Sequence, residues 1–341
     1  MIERNKRGLP VRRVPLVSDE KDDQHLPIGG FSLYDEIKNE GLETALKVME
    51  KAPAKINLSL DVLKKRADGY HEVRMVMTTV DLTDRLECSD LREDRIVLHA
   101  SAPFVPEDEH NLAYRAAWLI KETYGIHRGV HIDIQKKIPV AAGLAGGSSD
   151  AAATIRALNR LWSLGMQDRD MRSIAEQIGS DVVFCLKGGT ALATGRGECI
   201  EQLPGFPPCW VILVKPDVSV STAAIYRAWN GETPLHPNVD AMVAAIRRSD
   251  FPAVCRLLGN ALEPVTMRTV PEIARIKRQL RLIGAEGVLM SGSGPTVFAL
   301  TRNESRLPRL LNGMQGYGKA VFAACPYHAS PSCPNPNNGV I

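Results

Sequence analysis

The sequence predicts an α+β protein with two domains, and three observations lead to this expectation. The chain has 341 residues, of which 44% are hydrophobic, and this is enough for two ordinary domains with their own cores. Apolar and polar residues alternate from Lys55 to Val62, which predicts a strand with one buried face. Later strands and helices follow one another without a regular strand–helix–strand repeat, which favours α+β over α/β.

The first predicted strand continues into a hairpin. Residues 64–69 end in Asp-Gly, which is a turn signal, and the alternation resumes from Val73 toward Val80. Lys55 and Asn57 alternate with the apolar residues of the strand, so both side chains are expected to project together, away from the core.

The middle of the chain carries four further periodic segments. Apolar spacing predicts strands over residues 95–99 and 130–134, with a helix over residues 111–124 between them. A helix-like run over residues 151–162 follows a glycine-rich segment.

Charge, cysteine usage and hydropathy exclude several classes of protein. The 42 basic and 39 acidic residues leave a net charge of +3, which gives no field strong enough to indicate nucleic acid as the main partner. The seven cysteines are scattered and form no C-x-x-C pair, so neither disulfides nor a structural metal site is expected. No apolar run approaches the roughly 18 to 20 residues of a membrane span, and no signal peptide is evident. We expect a cytoplasmic protein without a membrane partner.

The two ends of the chain differ in character from the middle. Residues 1–30 pass from a basic to an acidic stretch and are expected to be disordered, while residues 34–49 have a loosely helical apolar spacing that allows a short amphipathic helix. An organelle transit peptide is a competing interpretation, which the many acidic residues of this segment disfavour. Residues 325–341, rich in proline and asparagine, are also expected to be disordered.

The strongest chemical signal is the glycine-rich segment over residues 139–150, which directly precedes a predicted helix. Glycine lets the backbone approach a ligand, and the first turn of a helix leaves N–H groups unpaired at a positive dipole end. Such a loop can cradle phosphate, and the hydroxyls of Ser148 and Ser149 could cap the helix or contact phosphate and its magnesium ion. The spacing fits neither a Walker A loop nor a dinucleotide fingerprint. A plain glycine-rich turn with a serine cap stays open as the alternative.

Five segments taken together resemble the GHMP kinase family. They are residues 52–58 (APAKINL), 66–72 (RADGYHE), 139–149 (PVAAGLAGGSS), 179–182 (GSDV) and 289–298 (LMSGSGPTVF). The resemblance covers roughly residues 50 to 325. Its Ala-Asp-Gly-Tyr-His segment is similar to the branch that acts on a diphosphocytidyl sugar alcohol, and unlike homoserine and mevalonate kinases.

The resemblance implies a domain organisation and a reaction. It implies a ribosomal-S5-like N-terminal domain over residues 50–205, which holds ATP, and a ferredoxin-like C-terminal domain over residues 206–327. Residues 1–49 would be an extension and residues 328–341 a tail. The implied reaction is transfer of phosphate from ATP, with Mg²⁺, to the 2-hydroxyl of 4-(cytidine 5'-diphospho)-2-C-methyl-D-erythritol on the methylerythritol phosphate route to isoprenoids. The implied enzyme is a monomer or homodimer.

Carried over residue by residue, the resemblance also implies the site. Asp181 would be the base on the acceptor hydroxyl, and Lys55 would neutralise charge on the transferring phosphoryl group. The implied ATP-binding residues are Asn111, Pro139, Val140, Ala141, Ala142, Gly143, Leu144, Ala145, Gly146, Gly147, Ser148 and Ser149. The implied substrate-binding residues are Asn57, Tyr70, His71, Lys136, Thr222 and Tyr226, with the aromatic rings stacking on cytosine. The turn over residues 291–295 would buttress the phosphate loop, although a plain turn between two strands explains it too.

Considered singly, these residues also have purely structural explanations. Lys55 alone is typical of a solvated strand lysine, and Asp181 alone is typical of a helix cap. Val183 stands where this branch usually has proline, so the backbone that fixes Asp181 is expected to be less rigid. Two alternatives stay open: another GHMP small-molecule kinase of the homoserine or mevalonate type, and a binding protein that keeps the fold without turnover.

Overall fold

The computed structural model describes residues 46–231 and 236–327, and its strands form two sheets covered by helices. The strands are β1 (Lys47–Lys65), β2 (His71–Leu91), β3 (Ile96–Ala100), β4 (Gly129–Gln135), β5 (Thr190–Thr194), β6 (Cys199–Gln202), β7 (Trp210–Lys215), β8 (Gly259–Asn260), β9 (Gly287–Met290), β10 (Val297–Thr301) and β11 (Ala320–Ala324). The helices are α1 (Leu112–Tyr124), α2 (Gly146–Leu161), α3 (Asp168–Ile178), α4 (Ser180–Lys187), α5 (Thr222–Ala228), α6 (Val239–Arg247), α7 (Phe251–Leu257), α8 (Glu263–Thr269), α9 (Glu272–Leu282) and α10 (Leu307–Asn312). This is the mixed α+β architecture that the sequence predicts.

A long antiparallel hairpin of β1 and β2 organises the first sheet. Its strand order is β3-β4-β2-β1-β8, with β5 paired to β2 and β6 paired to β5. The predicted strand, turn and resumed strand are confirmed, and the pairing extends from Lys47 opposite Ser89 to Lys65 opposite His71. Strands β3 and β4 and helix α1 also lie where the periodicity predicts them.

Both faces of β1 are covered, which corrects the expectation for Lys55 and Asn57. Ile56 and Leu58 belong to one hydrophobic cluster with Phe298 of the second sheet. On the other face, Lys55 is 4% exposed and Asn57 is fully buried. Alternation in a strand specifies that the two side chains share a face, but it carries no information about what covers that face.

The second sheet is entirely antiparallel, with the order β11-β7-β10-β9. The two sheets are joined by β8, which precedes β9 in the chain yet pairs in parallel with β1, with Asn260 opposite Leu60. Asn260 is fully buried, and both polar atoms of its side chain form hydrogen bonds. Nδ2 donates to the carbonyls of Met290 at 2.9 Å and Gly292 at 2.7 Å, and Oδ1 accepts from the Leu262 amide at 2.9 Å.

The ends of the described segment differ from two expectations. Residues 47–49 belong to β1, so the prediction of a helix over residues 34–49 is wrong for them. Residues 325–327, predicted to be disordered, continue beyond β11 and lie against β2. The Asp81 amide donates to the Cys325 carbonyl at 2.9 Å, and the Tyr327 amide donates to the Thr79 carbonyl at 3.0 Å. The rest of the predicted helix, residues 1–30 and the tail over residues 328–341 lie outside the described residues. The domain boundaries stay predictions.

The expectations about excluded classes concern cysteines, membranes and metals. The six cysteines of the described segments are free thiols, and Cys333 lies outside them. Across residues 46–231 and 236–327, no helix combines the length and apolar character that crossing a bilayer requires. In the same residues, one group of side chains has the spacing of metal ligands: Asp108, Glu109 and His110, all exposed.

The Asn260 network generates a stability prediction. Asn260→Ala leaves two buried carbonyls and one buried amide without partners, so we expect the free energy of unfolding to fall by about 2 to 4 kcal/mol. Asn238→Ala is the matched control, because Asn238 is an exposed cap with one hydrogen bond, from the Ala241 amide at 2.9 Å, and its loss should cost about 1 kcal/mol. Urea unfolding of both variants measures the difference. Equal losses would contradict the structural role of Asn260.

Candidate active site

Lys55, Asn57 and Asp181 come together along one cleft of about 870 Å³. The Lys55 ammonium donates to Asn57 Oδ1 at 2.8 Å and lies 3.4 Å from Asp181 Oδ2. The side chain of Lys55 is 5% exposed and that of Asp181 is 33% exposed, so the carboxylate is the member of the pair that solvent and ligand reach. A cation and a proton acceptor therefore stand side by side at the surface of one cavity.

Helix α4 positions Asp181. The helix begins after Gly179, which is the cap residue, and Asp181 lies in its first turn, where the helix dipole stabilises a negative charge. The alternative interpretation of Asp181 as the N-cap residue of this helix is therefore wrong. Val183 continues the same helix and is buried in the core. The lower rigidity expected of this backbone with valine in place of proline stays a prediction.

The glycine-rich loop lines the cleft and ends at the N-terminus of α2. Ala141, Gly143 and Ala145 all have positive φ, at 50°, 75° and 56°. The cap residue of α2 is Ala145, which makes no side-chain hydrogen bond, and the first turn contains no acidic residue. The amides of this turn consequently lack a capping side chain and are available to an anion.

The two serines of the loop have different positions, and neither caps the helix. The Ser148 side chain lies in the cleft. Ser149 is fully buried, and its hydroxyl donates to the Pro53 carbonyl at 2.8 Å. Ser149 thus fastens α2 to β1, and Ser148 is the one of the two that a ligand can reach.

The turn over residues 291–295 supports the phosphate loop from behind, as predicted. Ser291 Oγ donates to the Gly143 carbonyl at 3.0 Å. A Cβ atom at Gly143 would lie 2.4 Å from the Ser291 carbonyl oxygen and 2.8 Å from that of Gly294. The two glycine-rich turns therefore meet backbone to backbone, at a separation that excludes a side chain.

A buried group of three charged side chains fastens both ends of the loop. The Lys136 ammonium lies between Asp84 Oδ2 at 2.5 Å and Asp150 Oδ2 at 2.6 Å. Asp84 Oδ1 also accepts from the amides of Lys137 and Ile138, at the entry to the loop. Asp150 is on α2, at the exit from the loop. Burial opposes the charge of Lys136, but the two carboxylates outweigh it and raise the pKa of the ammonium.

An aromatic wall forms another part of the cleft. The His71 ring lies 5.3 Å from the Tyr226 ring and 5.5 Å from the Trp229 ring, edge to face with the latter. Burial and the nearby Lys65 charge lower the pKa of His71, so its imidazole is neutral at pH 7 and offers one donor and one acceptor. Tyr70 is 57% exposed, and the Arg196 guanidinium stacks on it at 5.1 Å. Flat apolar faces and directional polar atoms are what a pyrimidine ring requires.

Comparison with known families gives two matches along the chain. Residues 111–189 match the model of the GHMP kinases N terminal domain, and residues 242–320 match that of the GHMP kinases C terminal. A 4-diphosphocytidyl-2-C-methyl-D-erythritol kinase of Geobacillus sp. (strain WCH70) is 57% identical over 278 residues, which cover 82% of this chain and 96% of the relative.

This chain belongs to the GHMP kinase family.

Solved structures agree with this assignment. A crystal structure of 4-(cytidine 5'-diphospho)-2C-methyl-D-erythritol kinase matches with a TM-score of 0.69 and 35% identity, covering 82% of this GHMP kinase and 98% of that chain. Homoserine kinase from Cytophaga hutchinsonii matches with a TM-score of 0.68 but 22% identity, over 84% and 96% of the two chains. The second match shows the fold alone. The predicted two-domain GHMP architecture is confirmed.

The structure brings most of the predicted site residues of this GHMP kinase to the same cleft. Those that line it are Lys55, Asn57, Tyr70, His71, Asn111, Lys136, Pro139, Val140, Ala141, Ala142, Gly143, Ala145, Gly146, Gly147, Ser148, Asp181, Thr222 and Tyr226. Leu144 and Ser149 do not line it, and both are buried. The Leu144 carbonyl accepts a hydrogen bond from the Lys55 amide at 3.1 Å. Asn111 is the cap of α1, and its Oδ1 accepts from the Ala113 amide at 2.9 Å.

Several residues that line or support the cleft are not predicted from the sequence. Arg196 lines it from the turn before β6, Arg227 and Trp229 line it from the end of α5, and Asp84 reaches it only through Lys136. Ser293 Oγ lies 2.8 Å from Thr222 Oγ1 and so joins the turn over residues 291–295 to α5. No local pattern marks Arg196 or Asp84, because exposed arginines and strand aspartates are common without a function.

The close approach of the two turns generates a prediction for Gly143. Gly143→Ala places a methyl group against two carbonyl oxygens at a positive φ, so we expect the free energy of unfolding to fall by about 2 to 4 kcal/mol. Gly147→Ala is the control, since its Cβ would meet only Leu112 Cδ1, at 3.9 Å, and alanine favours a helix by about 1 kcal/mol. Thermal unfolding compares the two. A Gly143→Ala protein as stable as the parent would refute the close packing.

Proposed function

We propose that this GHMP kinase transfers the γ-phosphoryl group of ATP to the 2-hydroxyl of 4-(cytidine 5'-diphospho)-2-C-methyl-D-erythritol, a step on the methylerythritol phosphate route to isoprenoids. The observation that carries the proposal is that one cleft contains an uncapped helix N-terminus, the Lys55–Asp181 pair and an aromatic wall. These are a phosphate cradle, a cation with a proton acceptor, and a place for a pyrimidine. Relatives that align over nearly their whole length are named for this activity.

Asp181 and Lys55 have complementary roles in the proposed transfer. The proton of the acceptor hydroxyl moves to the Asp181 carboxylate as the oxygen attacks the γ-phosphorus, and the bond from that phosphorus to the β,γ-bridging oxygen breaks to release ADP. Lys55 stays bound to Asn57 and compensates the negative charge of the phosphoryl oxygens. Phosphoryl transfer is chiefly positioning and electrostatic stabilisation, so these fixed groups meet its requirements.

The nucleotide binds on the loop side of the cleft in this proposal. Its phosphates lie against the amides of the loop and of the first turn of α2. Mg²⁺ typically takes one or two protein oxygens and completes its shell with phosphates and water, and the Ser148 hydroxyl in the cleft fits that requirement. When bound, the ion would neutralise charge on the phosphate oxygens.

The diphosphocytidyl group binds on the aromatic side. Tyr226 and Tyr70 provide flat faces for cytosine, and the neutral imidazole of His71 reaches the polar edge of the base. Arg196, stacked on Tyr70, supplies a cation on the same side of the cleft. Thr222 begins α5 and is held toward the cleft by Ser293.

We further propose that the enzyme works in the cytoplasm, as a monomer or homodimer, without nucleic acid or membrane as a partner. The net charge of +3 and the free cysteines of the described segments support this setting.

A comparison of acceptors tests the proposed reaction. ADP release is measured with the diphosphocytidyl compound, mevalonate and homoserine side by side. We expect turnover with the first compound alone. Preference for either of the others would make this a GHMP kinase of different specificity, and ATP binding without turnover on any acceptor would favour a binding protein.

The role of Asp181 generates a kinetic prediction. Asp181→Asn keeps the shape and removes the proton acceptor, so kcat should fall by roughly 10²- to 10⁴-fold with little change in ATP affinity. Asp168→Asn is the control, because Asp168 is an exposed carboxylate in the first turn of α3 and does not line the cleft. Steady-state kinetics decide the matter, and a variant with near-normal turnover would exclude Asp181 as the base.

The aromatic wall generates a prediction about binding. Tyr226→Ala removes a stacking face worth about 1 to 3 kcal/mol, so the diphosphocytidyl substrate should bind about 5- to 150-fold more weakly while ATP affinity holds. Tyr70→Ala should have the same selective effect, and CDP should compete with substrate in the parent. Tyr124→Ala, outside the cleft, is the control. Calorimetry with each ligand measures the losses, and equal losses for ATP and acceptor would show that the pyrimidine pocket lies elsewhere.

A further inference from the structure

A groove of about 600 Å³ lies between α8 and α9 and shares no lining residue with the cleft described above. It is lined from α8 by Glu263, Pro264 and Met267, and from α9 by Ala274, Lys277, Arg278, Arg281 and Leu282. The α9 residues recur at the spacing of one helix face. A different face of α9, formed by Ile273, Ile276 and Leu280, packs in the core. The requirements of the core therefore do not explain the composition of the groove.

The groove carries an excess of positive charge. Lys277, Arg278 and Arg281 contribute three positive charges and Glu263 contributes one negative charge, so the excess is two. Arg278 and Arg281 are both exposed, and neither forms an ion pair within residues 46–231 and 236–327. Lys277 and Arg281 are four residues apart on α9, and like charges at this spacing disfavour a helix. An anion in the groove would offset this repulsion.

One of the three cations is buried. Lys277 lines the groove although only 10% of its side chain is exposed, and its Nζ donates to Oε2 of the equally buried Glu263. An ammonium group has three hydrogens to donate, and one of them has an acceptor among the described residues. Because a shielded donor without an acceptor is costly, the ammonium favours a ligand that accepts hydrogen bonds.

The second sheet holds this ammonium group in place. Glu263 Oε1 accepts from the Met290 amide of β9 at 3.0 Å, while Oε2 accepts from Lys277. Thr266 Oγ1, on the same helix as Glu263, donates to the Ser293 carbonyl at 3.1 Å. Lys277 consequently has a defined position, and a ligand binds it without the entropic cost of ordering a flexible lysine.

The remaining lining selects the kind of anion. Pro264, Met267, Ala274 and Leu282 are apolar, and Leu282 is 70% exposed beside the unpaired arginines. A guanidinium group has a planar fork of donors that matches the oxygens of a phosphate. A phosphate monoester carries close to two negative charges at pH 7, and so it balances the excess charge of the groove better than a carboxylate does. An apolar substituent on that ester would cover the apolar lining.

We propose that the groove between α8 and α9 is a second binding site, for a small phosphate ester with an apolar substituent. The phosphate lies against Lys277, Arg278 and Arg281, and the substituent lies on Met267 and Leu282. Because no residue of the groove lines the cleft, the site goes beyond the kinase reaction proposed above and does not depend on it.

Titration calorimetry of the full chain tests the proposal with simple compounds. The cleft is first saturated with CDP and a non-hydrolysable ATP analogue, so that it does not take up the titrated compound. Phenyl phosphate is then compared with inorganic phosphate, which lacks the apolar part, and with phenol, which lacks the charge. We expect phenyl phosphate to bind about tenfold more tightly than inorganic phosphate, and phenol not to saturate the protein at the same concentrations. Added salt should weaken the binding of both phosphates.

Charge-reversing variants assign this binding to the groove. Arg281→Glu changes an exposed residue of the groove and should weaken phenyl phosphate at least about tenfold. Arg275→Glu is the matched control, because Arg275 is exposed on the same helix, does not line the groove and changes the net charge by the same amount. Met267→Ala should weaken phenyl phosphate and leave inorganic phosphate unchanged, since only the former has an apolar part.

Three outcomes would overturn the inference. They are the absence of phenyl phosphate binding once the cleft is filled, equal losses in Arg281→Glu and Arg275→Glu, and equal affinities for phenyl phosphate and inorganic phosphate. Self-association of the chain that Arg281→Glu abolishes, without any phosphate binding, would make the groove a contact between copies instead. A chain that binds neither CDP nor the ATP analogue would overturn the proposed kinase function, and the Arg281 and Arg275 variants would still decide on the groove.

Discussion

The cleft depends on the contact between two glycine-rich turns, in which the backbone at Gly143 lies directly against the carbonyls of Ser291 and Gly294. A Cβ atom at Gly143 would come within 2.4 Å of one of those oxygens, so the contact exists only because the residue has no side chain. The phosphate loop gains from this a rigid support that does not belong to its own sheet. The support continues to Asn260, which accepts and donates three hydrogen bonds behind the same turn. The position of the loop amides is thus fixed by long-range packing and not by the loop alone.

Buried charge is the second constraint on the cleft, and it is managed by pairing. Lys55 beside Asp181 and Asn57, and Lys136 between two aspartates, place ammonium groups where they are almost fully shielded from solvent. Burial of either ammonium group without a partner would be strongly unfavourable. Because each is paired with a carboxylate and hydrogen-bonded, its burial is tolerated and its position is defined. Such fixed charges act more strongly on a ligand than solvated ones would, because the surrounding dielectric is low. The same shielding leaves Asp150 with one oxygen that takes no hydrogen bond from the described residues.

The overall fold does not discriminate between the acceptors that GHMP kinases use. A diphosphocytidyl-methylerythritol kinase and a homoserine kinase match this chain with nearly equal TM-scores, 0.69 and 0.68. In the function proposed above, the features that select the acceptor are local: the His71 ring, which lies within 5.5 Å of the Tyr226 and Trp229 rings, and Tyr70 under a guanidinium. In this proposal the shared fold provides the phosphate-binding loop, and the side chains of the aromatic wall provide the specificity.

The sequence by itself determined the elements whose signals are local. The long hairpin followed from alternation, helix α1 from its apolar spacing, and the phosphate loop from glycines placed directly before a helix. The family motifs then predicted Lys55 and Asp181 as catalytic residues, which neither residue type would predict alone. Tertiary structure decided that Lys55 and Asn57 are buried, that residues 325–327 add to β2, and that Arg196 enters the cleft. It also joined Asp84 to Lys136 and Asp150 across three elements. A strand pattern states which side chains share a face, but what covers that face depends on segments far away in the chain, and the chemistry of a buried charge depends on that cover.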